Sequence, residues 1–376
     1  MTDGPSFVEF NRQHEITPVH QDISDLERHR RRRDSLYRHL GLPPAFLAGR
    51  SIAEFGPGSG HNAVATAALG PAHYVLIDGN PRGVAETREL LSRHGAPDEV
   101  CQVVASDFET FDTDERFDVV LAEGCLPYQP AAESLLRHIA QFTKPHGVLV
   151  ITTVTPVSIL SEIVRRLMRD LVVAPDAPPS EQLAILRPML GSHLAALPGV
   201  TRSVDDWLLD NIVRPLWNTQ TLSIPQVIAA LGDEFDVYGA SPAFLTDFRW
   251  YKQVHGADRG FNANALKRYF TITANLLDTR VELPPHRAEF GRWLEVACMQ
   301  LWDLMRGVEG EGRGAPADAA PILEEIASVL HSISPNTADS IRQGREVLLG
   351  RMRPDACPAF ASFWGRGQQY LSLIRR

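Results

Sequence analysis

Ser51–Gly60 reads SIAEFGPGSG. Ile52, Ala53 and Phe55 form a short apolar strand that passes through an acid, Glu54, into glycines at alternate positions, Gly56, Gly58 and Gly60. Glycine carries no Cβ, so such a stretch bends sharply and lets backbone come close to a ligand. Ala63–Leu69 is Ala-rich and predicts a helix. Strand, glycine turn and helix in that order suit a nucleoside-containing cofactor. A dinucleotide fingerprint, G-x-G-x-x-G, needs its third glycine at position 61, where His61 stands. The nicotinamide reading is set behind for that reason.

Further apolar runs follow at strand length. Tyr74–Ile77 (YVLI) is closed by Asp78, and Val100–Ala105 leads into Ser106, Asp107 and Phe108. Phe117–Ala122 (FDVVLA) is followed by Glu123 and Gly124, and Lys144–Gly147 (KPHG) turns the chain into Val148–Val154. A carboxylate at the end of the second strand, roughly 20 residues past the glycines, is placed to accept from ribose hydroxyls. Each piece has a plainer reading. The glycines make a tight turn in any case, Asp78 or Asp107 suits a helix cap, and an acid at position 123 suits solvent.

An acid followed by G-x-G-x-G, with these strands in this order from Ser51 to Val154, resembles the class I S-adenosylmethionine-dependent methyltransferases. The resemblance implies S-adenosyl-L-methionine as cofactor, held by Glu54, Gly56, Pro57, Gly58, Gly60, Asp78, Asn80, Asp107, Phe108, Glu123 and Gly124. By the same resemblance, Asp107 meets the adenine amino group and Phe108 lies near the ring. The implied fold is α/β: a Rossmann-like seven-stranded methyltransferase sheet, with a helical insertion between strands five and six and a helical C-terminal region.

The rest of the chain is laid out accordingly. Residues 1–50 read as an N-terminal helical cap segment and 51–155 as the cofactor-binding core. Residues 156–222 read as a helical insertion, 223–256 as completion of the sheet, and 257–376 as a helical region. Phe235–Tyr238 and Phe248–Val254, joined through Gly239-Ala240-Ser241-Pro242, are expected to form the closing antiparallel hairpin. The insertion and the phrases around Thr246–Lys252 and Trp364–Tyr370 resemble methyltransferases of bacterial surface-polysaccharide and glycan pathways.

Composition fits an enzyme with a real core: 376 residues, 44% hydrophobic. No apolar stretch approaches the roughly 18 residues of a membrane span, and the acidic start MTDGPSFVEF lacks a signal-like segment. Cys101, Cys125, Cys298 and Cys357 are scattered, so reduced thiols in a cytoplasmic protein are expected, without zinc. A net charge of −9 argues against a broad nucleic-acid surface. The basic run Arg28–Arg33 (RHRRRR) dissents; it is either a lure for an acidic substrate or the solvated face of a helix that continues to Leu40.

The implied reaction is in-line methyl transfer to a small-molecule or glycan acceptor, at a hydroxyl. Residues after strands four and six reach the correct edge of an open sheet, which nominates Glu123, Tyr128 and Asp247. His20 joins them if the N-terminal segment folds over the cofactor. For Asp247 the competing reading is a salt bridge with Arg249. All six tryptophans lie beyond the cofactor-binding half; Trp250 and Trp364 are the candidates for ligand contact, Trp293 and Trp302 for core. Self-association stays open. The alternatives are an RNA or protein methyltransferase, or an inactive cofactor-binding protein of the same fold.

Overall fold

The computed structural model describes residues 23–200 and 202–376. The chain divides into two compact units. One gathers the described part of Met1–Val154 with Gln220–Arg268 and Gln368–Arg376; the other holds Thr155–Thr219 and Tyr269–Gly367.

The first unit contains a seven-stranded sheet. Its strands are β1 (Ser51–Phe55), β2 (His73–Asp78), β3 (Cys101–Ala105), β4 (Phe117–Ala122), β5 (Thr143–Thr153), β6 (Phe235–Ser241) and β7 (Gln369–Arg375). Their order is β3-β2-β1-β4-β5-β7-β6. β1, β2, β4 and the second half of β5 are buried almost throughout, which explains why they read as continuous apolar runs rather than alternating ones. Parallel register aligns Phe55 with Ile77, Asp78 with Ala105 and Ala122 with Ile151. The glycine turn, Asp78, Asp107 and Glu123 therefore leave the sheet at one edge, beside the point where the strand order reverses. Open α/β sheets bind ligands there.

The expected closing hairpin is not formed. Phe248–Val254 contains only a single 3-10 turn, Tyr251–Gln253, and its large side chains are exposed. The seventh strand comes instead from Gln369–Arg375, inserted antiparallel between β5 and β6, with Thr153 opposite Gln369 and Ser241 opposite Tyr370. A strand between two others must be buried on both faces. Leu371, Ser372 and Leu373 meet that demand, whereas Arg249 and Lys252 do not. The C-terminal region is helical, as expected, only as far as the turn Pro358–Ala361.

Helix α1 (Leu26–His39) starts at Asp25, whose carboxylate accepts from the Arg28 N–H at 2.9 Å. Its residues His29, Arg33 and Tyr37, four apart, are buried on one face, while Arg28, Arg30, Arg31 and Arg32 are exposed. The basic run is thus split: part solvated face, part interior. α2 (His61–Ala67) follows the glycine turn and α3 (Pro81–Arg93) follows β2.

The second unit is helical. In α4 (Leu160–Asp170), three arginines are buried and each is partnered, as buried charge requires. Arg166 and Arg169 both meet Glu309 of α5 (Ala288–Glu311) at 3.0 Å. Arg165 donates to the Phe363 carbonyl at 3.0 Å and lies 3.8 Å from the centre of the Trp364 ring. Trp364, a candidate for ligand contact, is therefore core, 4% exposed and edge-on to Trp207. Trp302 is buried, as expected.

Candidate functional site

Past Phe55 the backbone enters the left-handed region at Gly56 (φ 75°), Gly58 (φ 59°) and Gly60 (φ 79°). Two of these positions are also closed by contact. A Cβ on Gly56 would stand 2.9 Å from the Cβ of Cys125, and one on Gly60 2.9 Å from the backbone of Thr87. Only glycine satisfies both constraints. The turn is held from below by Asp78. One carboxylate oxygen accepts from the Gly58 N–H at 3.0 Å, the other from the Asn80 N–H at 2.8 Å. Thr87 Oγ1 donates to the Gly58 carbonyl at 3.0 Å, and the Pro57 carbonyl accepts from the Gly60 N–H at 2.9 Å. Asn80 caps α3 through the Arg82 N–H, ahead of Pro81. Asp78 is 7% exposed. Burial pushes its pKa up, against the pull of the Asn80 and Gly58 N–H groups.

The neighbouring tips complete the edge. Asp107 is exposed after β3, so close to Gly79 that a Cβ there would sit 2.6 Å from its Oδ1. The Phe108 ring lies edge-on to Phe55, centroids 6.0 Å apart, and also borders Gly56. The Gly124 N–H donates to Thr152 Oγ1 at 2.7 Å, and Cys125 Sγ to the Phe55 carbonyl at 3.3 Å. Glu54 is buried beneath the turn with the Tyr74 hydroxyl on its carboxylate. Burial, with the Glu123 charge adding to it, pushes the Glu54 pKa up to about 7.

Glu123 is not a free carboxylate. Arg33 donates to both of its oxygens, at 2.6 and 2.8 Å, and the Tyr37 hydroxyl reaches one of them at 3.3 Å. Burial opposes the Arg33 charge, but the carboxylate outweighs it and holds the guanidinium pKa above its ordinary value. Sequence reasoning missed Arg33 and Tyr37 as parts of this edge; with buried His29 they stand four residues apart on one helix, and that spacing was the available signal.

Tyr128, five residues past Glu123, is held at φ 68°. Its N–H donates to the Gln220 carbonyl at 2.8 Å, and Gln220 N–H returns to the Gln129 carbonyl at 3.1 Å. A bulky residue in this region is strained, and such strain clusters at functional sites. Asp247 lies on the loop after β6, gripped by Arg249 through both oxygens. The Arg249 side chain, with its N–H, draws the Asp247 pKa down to about 2. His20 lies outside the described residues. Among the described residues, no group of three or more His, Cys, Asp or Glu is arranged to hold a metal ion. No described helix is long and apolar enough to cross a membrane.

Residues 48–182 match a family model described as a methyltransferase domain. The chain carries a class I S-adenosylmethionine-dependent methyltransferase domain. It is similar to trans-aconitate 2-methyltransferases of Escherichia coli and Shigella flexneri, at 29% identity over 101 residues. That match takes in 27% of this chain and only 37% of those relatives' length. Among solved structures, the N-methyltransferase NodS of Bradyrhizobium japonicum, bound to S-adenosyl-L-homocysteine, is 15% identical, with TM-score 0.37. The alignment covers 61% of this chain and 88% of that one. PKMT2 of Rickettsia typhi is 13% identical with TM-score 0.44, covering 63% and 48%. S-adenosylmethionine is the cofactor of the methyltransferase family, and the donor chemistry of this edge fits it. Asp78 spends one lone pair on Gly58 and one on Asn80 and keeps acceptor capacity for hydroxyls, while Phe108 and exposed Asp107 offer a flat face beside a carboxylate.

Proposed function

We propose that this protein moves the methyl group of S-adenosylmethionine to a small-molecule or glycan acceptor, at a hydroxyl oxygen, by in-line displacement. The observation that carries this reading is Asp78, which holds the glycine turn through the Gly58 N–H and the start of α3 through the Asn80 N–H, at the strand-order reversal. In this reading Asp78 accepts from the ribose hydroxyls, Asp107 and Phe108 receive the adenine, and Gly56, Pro57, Gly58, Gly60 and Gly124 supply close backbone. Glu54 and Asn80 act one step back, fixing the turn and the start of α3. The bound cofactor supplies an electrophilic methyl group.

The candidate proton acceptors are poorly suited to that task. Glu123 is committed to Arg33 and Asp247 to Arg249, so we assign Glu123 to holding structure at the edge and Asp247 to holding its own loop. The rate then rests chiefly on alignment: fixing two reactants in contact supplies about 7–11 kcal/mol in well-oriented systems. Tyr128, rigid and at the correct edge, is the side chain we place against the acceptor.

The test has two arms. Calorimetry with S-adenosyl-L-homocysteine should give saturable binding, lost in Gly60→Val. Transfer of labelled methyl should then appear on hydroxylated small molecules or oligosaccharides within a panel that includes RNA and protein. Absence of binding removes the proposal, and transfer confined to RNA or protein replaces the acceptor class.

A further inference from the structure

The chain leaving β6 carries an unusual surface. Within four residues, Phe248 is 85% exposed, Trp250 58% and Tyr251 69%. Cations are interleaved with these rings. Lys252 Nζ stands 5.9 Å from the Trp250 centroid and 5.8 Å from that of Tyr251, and the Arg268 guanidinium lies 5.9 Å from Phe248. The single acid in the run, Asp247, is neutralised by Arg249. β6 is antiparallel to β7 and β7 to β5, so β6 points the same way as β5. The loop therefore leaves the sheet at the edge of the glycine turn and then runs back along β6: Arg249 Nη1 donates to the Asp258 carbonyl at 2.9 Å, and the next residue, Arg259, pairs with Asp236 near the start of β6.

Exposed aromatic side chains of this size, contiguous and unburied, mark an interaction surface. We propose that Asp247–Gln253 seats in the headgroup region of an anionic lipid bilayer. Trp and Tyr favour the boundary between water and lipid because one end of each ring system is apolar and the other polar. Phe248 supplies a purely apolar wedge. Lys252 and Arg268, the latter also donating to the Thr246 carbonyl, hold their charged groups beside the rings, where anionic headgroups would meet them. The overall charge of −9 does not forbid this. Fields are screened beyond about 8 Å at physiological ionic strength, so the charges within reach of the tip decide, and these are net positive.

A second copy of the chain is a poorer occupant. Three aromatic side chains bury about 150–250 Å² each when fully covered. Partly covered already, they fall short of the roughly 800 Å² per partner of a stable interface.

The test is co-sedimentation of the full chain with vesicles of phosphatidylcholine, alone and mixed with phosphatidylglycerol. The wild type should pellet with the mixed vesicles, less so in high salt. The triple variant Phe248→Ser, Trp250→Ser, Tyr251→Ser should lose about tenfold in partitioning, and Lys252→Glu should lose most of the preference for phosphatidylglycerol. Because the replaced side chains are exposed, melting temperature and S-adenosyl-L-homocysteine affinity should stay at wild-type values, which separates this inference from the proposed catalysis. No pelleting, or equal pelleting of the triple variant, overturns it. So does a wild-type dimer that the triple variant dissolves, or selective retention of the wild type by a soluble anionic polysaccharide while vesicles leave it in solution.

Discussion

Arg33 donates two parallel hydrogen bonds to Glu123, at 2.6 and 2.8 Å, across 90 residues of sequence, with both side chains nearly out of solvent. This pair ties α1 to the tip of β4, one residue before Gly124. Breaking one side of such a pair leaves a buried charge without compensation. Arg33→Ala should therefore destabilise the protein by about 3–5 kcal/mol in urea unfolding. Replacing both partners with apolar side chains, Arg33→Met with Glu123→Leu, should recover most of that loss. Equal losses for the single and double variants would mean that the pair is not what holds the helix.

Glu54 gives stability a pH dependence of definite sign. Its carboxyl is raised from 4.5 to about 7 in the folded chain. Between those values the folded state holds more protons than the unfolded one, so the Glu54 contribution falls as pH rises and levels off above 7. Glu54→Gln keeps an acceptor for the Tyr74 hydroxyl and removes the titration. Wild-type stability relative to Glu54→Gln should thus decline from pH 5 to pH 8 in thermal melts. A flat difference would deny the shift.

Asp78→Ala should weaken binding of S-adenosyl-L-homocysteine by about 1–3 kcal/mol, through loss of charge-assisted hydrogen bonds and loosening of the turn. Calorimetry reads this directly. Unchanged affinity would detach Asp78 from the cofactor and leave it only as the support of Gly58.

His146 sits exposed in β5 at φ 63°. The left-handed conformation costs a non-glycine residue about 1–2 kcal/mol, part of which glycine gives back through the flexibility of its unfolded chain. His146→Gly should raise stability by about 0.5–1 kcal/mol, visible as a higher melting temperature. A lower one would show a contact of the imidazole that matters more than the strain.

The cofactor half was legible from sequence because its signals are local. Apolar strands end in acids or glycines, and each parallel strand is followed by its own helix or turn. Asp78 and Gly60 declare themselves by position alone. β7 was not legible: Gln369 pairs with Thr153 across 216 residues, and no local periodicity marks such a partner. Phe248–Val254 drew the strand assignment instead, since aromatic residues favour strands only where neighbours cover them. Arg33 escaped for a similar reason. A run of arginines looks solvated until the fold brings Glu123 against one of them.

The order β5-β7-β6 has a bearing on biogenesis. A chain made from its N-terminus forward completes the apolar strand Val148–Thr153 long before Gln369–Arg375 leaves the ribosome. Until then, that strand is an open, adhesive border of a half-built sheet, and such borders recruit other chains. Whatever shields it in the interval, transient packing or a chaperone, governs how much of the newly made polypeptide reaches its working form.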